Sequence, residues 1–189
     1  QIGCGRIARS HDLIDTMAYD VANVMAVCDL DSKRMEDGKE LVDKFYQEKK
    51  GKSNYKGTKV YEDCDRYVDW FIADAKLHNC ETCIFLGDWH HQRATLNITT
   101  LQHSLRNLEK ITSAFSNNYF IVGNHDLYYK DSRSVNSVEF AKHIPNLNLI
   151  LEPYYTEDCA FIPWLVSEEW KQLKELPAKP YVFGHFELP

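Results

Sequence analysis

Apolar positions along the chain recur with two periods. Val68, Phe71, Ile72 and Ala75 fall on one helical stripe, as do Leu101, Leu105, Leu108 and Ile111, so the spacing predicts helices over 66–78 and 99–115. Further helices are expected over 7–19, over the charged stretch 32–50, and over 135–143, where Pro145 ends the run. Short apolar runs that do not alternate read as buried strands: VANVMAVC (21–28), TCIFL (82–86), YFIV (119–122), and the segments 147–151, 159–162 and 181–183. Val60-Tyr61 makes a very short one. Strands alternating with helices predict an α/β sandwich with a largely parallel sheet, and the closer spacing of the later strands adds a mixed or antiparallel part. The polar stretch GKSNYKGTK at 51–59 is the natural boundary, dividing the chain into 1–63 and 64–189.

Composition narrows this picture. A chain of 189 residues with 44% hydrophobic and 26% charged residues has the balance of a globular protein. The net charge of −6 argues against a nucleic-acid binder working through a broad basic face. Metal ions at a site would supply positive charge that the chain lacks. No apolar run reaches the ~18–20 residues of a membrane helix, and the opening QIGCGRIARSHD lacks a secretory core, so a cytoplasmic protein with no membrane contact is expected. Cys4, Cys28, Cys64, Cys80, Cys83 and Cys159 are irregularly spaced and read as reduced thiols. Cys80 and Cys83 form a lone C-x-x-C, read as two small residues leading into a strand, with a zinc site as the alternative. Asn97-Ile98-Thr99 fits a glycosylation sequon, a pattern common by chance.

Two sets of residues carry candidate chemistry. Gly3-Cys4-Gly5-Arg6-Ile7-Ala8 opens a helix, and Asp29 closes the next strand, 24 residues after Gly5. Glycines at 3 and 5 permit a tight turn and close approach of a pyrophosphate, Ala8 permits tight helix packing, and Asp29 suits ribose hydroxyls. The second set comprises Gly87-Asp88-Trp89-His90-His91, Gly123-Asn124-His125-Asp126 and Gly184-His185, each just past an apolar strand. An α/β sheet places its site there. Asp, Asn and His offer oxygen and imidazole donors suited to Mn²⁺, Fe²⁺ or Zn²⁺. His11, His78, His103 and His143 lie outside these clusters and read as ordinary surface or core residues.

GCGRIA followed by VMAVCDLDSKRMEDGKELVDKF and VYED (60–63) resembles the opening of the Gfo/Idh/MocA oxidoreductases over roughly residues 1–63. That resemblance implies a Rossmann-like βαβ fragment binding NAD(P), with Gly3, Gly5, Ala8 and Asp29 at the cofactor. The remainder resembles the calcineurin-like metallophosphoesterases over roughly residues 64–189, in particular the small nuclease subunits of phage recombination complexes, relatives of the SbcD-type nucleases. FLGDWHHQR (85–93), YFIVGNHDLYYKDS (119–132), FIPWLVSEEW (161–170) and VFGHFELP (182–189) carry it. It implies a metal-dependent phosphodiesterase or endonuclease acting on DNA, with manganese as the first choice of metal and a large ATPase subunit as partner. By position, Asp88, Asn124 and His185 would be metal ligands, with His91 where the family has an Asp. His125 would face the phosphate and Asp126 would orient His125. The family's D-x-H strand is matched nowhere in 1–86, nor is its G-H-x-H motif, so about half of the ligand set is present. The two resemblances meet near residues 61–66, and the chain reads as a joining of two partial domains. Two other functions stand beside the nuclease: an NAD(P)-dependent oxidoreductase fragment, and a catalytically silent domain that binds a partner.

Overall fold

The computed structural model describes residues 1, 4–19, 23–29, 32–49, 57–61, 64–92 and 94–186. Gly3, most of the 51–59 loop and the acidic end of VYED lie outside the described residues. The chain is an α/β protein, and it divides into two compact units, 1–74 and 75–189. The division falls inside a helix rather than in the polar loop.

In the first unit a π-helical turn (Ala8–Asp12) runs into α1 (Leu13–Ala18). Strand β1 (Ala26–Cys28), helix α2 (Ser32–Lys44) with a π-helical extension to Lys49, and strand β2 (Lys59–Tyr61) follow. β1 and β2 pair in parallel, Ala26 opposite Lys59 and Cys28 opposite Tyr61. β1 is buried at all three positions, which is why its sequence does not alternate. Met35 and Val42 of α2 pack with Leu13, Met17, Val24, Val27 and Tyr46 in one apolar cluster. Helix α3 (Cys64–Leu77) spans the division.

The second unit is built on two three-stranded sheets. β3 (Thr82–Phe85), β4 (Asn117–Ile121) and β7 (Asn148–Ile150) are parallel, with β4 central. The helix α4 (Ile98–Ala114) connects β3 to β4. Asn97 caps it by accepting from the Thr99 N–H at 2.8 Å, so the sequon asparagine is a helix cap. The second sheet holds β8 (Tyr154–Tyr155), β9 (Cys159–Ile162) and β10 (Tyr181–Gly184), with β9 antiparallel to β8 and parallel to β10. This is the mixed part that the closer strand spacing anticipated. The parallel sheet is covered on both faces. Phe85, Phe120 and Leu149 pack with Leu105 and Leu108 of α4, while Ile84, Ile121 and Ile150 pack with Phe161 and Phe183 of the second sheet.

The helix expected over 135–143 is corrected. Residues 127–136 form a hairpin, β5 (Leu127–Tyr129) with β6 (Ser132–Asn136), and only Glu139–His143 turns helically, as a 3₁₀ segment. Leu127 is fully buried and Arg133 points inward, so long-range packing overrides a short helical pattern. Another 3₁₀ segment, Glu169–Glu175, was not foreseen. All six cysteines carry free thiols, Cys80 exposed and Cys83 buried on β3. Among the described residues no helix is long and apolar enough to cross a membrane.

Candidate active site

Three loops meet past the ends of β3, β4 and β10, and glycines let them touch. Gly87 adopts φ 98°, and a Cβ there would lie 2.6 Å from the His185 Nδ1 and 2.8 Å from the Gly123 Cα. A Cβ on Gly123 would lie 2.3 Å from the Asp88 Oδ1. No side chain fits at either position. Asp88 itself sits at φ 59°, a conformation that persists only where its surroundings hold it.

Asp126 supplies much of that hold. Its side chain is fully buried and accepts three main-chain N–H groups: Asp88 at 2.9 Å, Gly123 at 2.9 Å and His90 at 3.1 Å. Burial pushes its carboxyl up to about 6, against the pull of those donors. Among the described residues none of its hydrogen bonds reaches the ring of His125. The ring Nδ1 of His125 instead meets the His91 carbonyl at 3.0 Å. The expected orienting contact from Asp126 to His125 is therefore absent, because the carboxylate turns inward to join two loops.

Asp88, Asn124 and His185 do come together. The His185 Nδ1 lies 2.6 Å from the Leu86 carbonyl, so Nδ1 carries a proton. Its Nε2 lies 3.1 Å from the Asn124 Oδ1 and 3.5 Å from the Asp88 Oδ2. A ring nitrogen fixed by a backbone carbonyl is the usual support of a metal-ligating histidine. An imidazole nitrogen, an amide oxygen and a carboxylate are the donor types that suit a divalent metal. Among the described residues there is no group of three or more His, Cys, Asp or Glu placed to hold one, and here an amide oxygen completes the set. The other Asp88 oxygen accepts the His125 N–H at 2.8 Å.

The structure pairs His91 with His125, the two rings stacking at 5.0 Å and 15°. Trp164 lies edge-on to His185 at 6.1 Å. Its loop is anchored by Arg133, which donates to the Trp164 carbonyl at 2.8 Å and to both Glu169 carboxylate oxygens at 2.7 Å. Burial works against the charge on Glu169, but the bonds from Arg133 and the Val166 N–H hold its carboxyl below the usual range. Motif reading did not single out the carbonyls of Leu86 and His91, which have no side-chain signal, or Arg133 and Glu169, which look like any surface pair.

In the first unit Gly3 is not described, while a Cβ on Gly5 would meet nothing within 4 Å. Ala8 is buried, and Asp29 accepts the Cys4 N–H at 2.7 Å. That bond ties the turn to the end of β1.

Against known proteins, no family model matches the chain and no solved structure matches it. Over 125 residues the chain is 27% identical to exonuclease subunit 1 of Enterobacteria phage T4. The match covers 62% of this chain and 37% of that protein, so the chain spans little more than a third of its relative.

Proposed function

We propose that the chain carries part of a metal-dependent phosphodiesterase of the nuclease kind, acting on DNA. The observation that carries this reading is the convergence of the Asp88 Oδ2, Asn124 Oδ1 and His185 Nε2, with the His185 Nδ1 turned to the Leu86 carbonyl. Those three residues would hold the ion, Mn²⁺ first, with Fe²⁺ and Zn²⁺ suited to the same donors. When bound, such an ion supplies an activated water and positive charge for phosphate oxygens.

The chain's own residues do the rest. His125 turns Nδ1 to the His91 carbonyl, which leaves Nε2 free to face the phosphate; in the imidazolium form Nε2 would hold the proton that passes to a departing oxygen. Stacking against His91 holds that ring in one plane. Asp88 serves twice, one oxygen toward the ion and the other on the His125 N–H. The relative is named as a subunit, which supports a partner for this chain; we assign it the large ATPase subunit that the resemblance implies.

The test is titration calorimetry with Mn²⁺ on the wild type, Asp88→Asn and His185→Ala, alongside cleavage of end-labelled DNA. Wild-type binding that both variants lose is expected. Equal affinity in all three overturns the site. Metal binding without cleavage favours the silent binding domain over the enzyme.

A further inference from the structure

His90 is buried in the second unit, at 4% exposure. Both ring nitrogens are engaged. Nδ1 lies 3.0 Å from the Ser137 Oγ and Nε2 lies 2.7 Å from the Ser104 Oγ. A neutral imidazole has one donor and one acceptor, and a pair of hydroxyls can satisfy both at once. Its main-chain N–H is the third bond, to the Asp126 Oδ1. Ser104 belongs to α4 and Ser137 follows the hairpin, where its own N–H donates to the Asp126 carbonyl at 2.7 Å. One side chain thus ties the loop after β3 to the long helix and to the far end of the hairpin.

The position of His90 in the chain gives this tie its consequence. Asp88, at φ 59°, precedes it by two residues, and His91, whose carbonyl holds the His125 ring, follows it directly. A phenylalanine is an aromatic ring of similar shape that could make neither bond. We propose that His90 is a positioning residue: by bridging Ser104 and Ser137 it sets the placement of Asp88 and of the His91 carbonyl, and through them the metal cluster and the His125 ring. This rests on the metal-site reading above.

The experiment compares the wild type with His90→Phe, His90→Gln and Ser104→Ala. Mn²⁺ affinity is read by calorimetry, thermal unfolding by circular dichroism, and histidine ring correlations by NMR in metal-free protein. Loss of a residue that orients a ligand usually costs about 10–100-fold in metal affinity. A weakening of about tenfold is expected in His90→Phe, with displaced His125 and His185 ring signals. His90→Gln, which keeps a donor near Ser104, should recover part of both. Ser104→Ala removes one bond from a buried helix position where alanine suits the helix, and guards against a variant that does not fold. It should weaken binding and lower the melting temperature by only a few degrees, with the protein still folded. If the wild type binds Mn²⁺ and the folded variants bind it equally, with unmoved ring signals, the positioning role is overturned and His90 is a core residue. If the wild type binds no Mn²⁺, the metal-site reading falls and takes the proposal with it.

Discussion

The two glycines at the loop junction make the sharpest demand on the structure, and Gly87→Ala tests it. A Cβ at this position would lie 2.6 Å from the His185 Nδ1 and 2.8 Å from both N and Cα of Gly123. Two of those three atoms are backbone, so a side-chain rotation cannot relieve the overlap. Reaching ordinary contact at about 3.4 Å requires the loops to part by roughly 0.6–0.8 Å, and forcing a packed contact open costs about 1–3 kcal/mol. The backbone at φ 98° adds about 1–2 kcal/mol for any residue with a Cβ. The sum, roughly 2–5 kcal/mol, is a large share of the stability of an ordinary domain. At about 2–4 °C per kcal/mol for a chain of this size, the melting temperature should fall by about 4–20 °C. The same displacement pulls His185 away from the Leu86 carbonyl, so Mn²⁺ affinity should fall with it. Gly5→Ala is the control, because its Cβ meets no atom within 4 Å, and it should stay within about 0.5 kcal/mol of the wild type. Differential scanning calorimetry of the three proteins decides the matter. A Gly87→Ala protein that melts within 2 °C of the wild type, on the order of the error of such a comparison, would refute the close approach of the loops.

Two other outcomes follow from the same packing. Asp126→Ala leaves three buried N–H groups without a partner, each worth about 1–3 kcal/mol, against which the relief of burying a carboxylate must be set. A net loss of about 2–4 kcal/mol in urea unfolding is expected, and lost metal binding with unchanged stability would instead mean an orienting role toward His125. Glu169, with its carboxyl held below the usual range, contributes stability that is present above its unfolded value of about 4.5 and lost as pH falls through the folded one. Glu169→Gln should therefore flatten the acid limb of a stability profile below about pH 4.5, and an unchanged limb would count against the Arg133 anchor.

Much of this protein can be read residue by residue. The apolar runs at 82–86, 119–122, 159–162 and 181–183 all became strands; 159–162 is largely buried, as a run without polar alternation implies, while Tyr181 and Val182 stay exposed on the edge strand β10. The stripe through Leu105, Leu108 and Ile111 became the face by which α4 covers the sheet. The hairpin at 127–136 was missed because its only strong local signals are a buried leucine and a turn, while the following residues repeat with helical spacing.

The site divides along the same line. Asp88, Asn124, His125 and His185 were visible as polar residues set just past apolar strands, a pattern that chain order alone determines. The inward turn of Asp126, the contact of the His185 Nδ1 with the Leu86 carbonyl and the two hydroxyls around His90 were settled only when distant segments met. His185 and Leu86, for example, are 99 residues apart. Secondary structure answers to neighbours three or four positions away, so periodicity exposes it. Hydrogen-bond partners of buried groups are drawn from whatever the fold brings within 3 Å or so, and no local pattern encodes that.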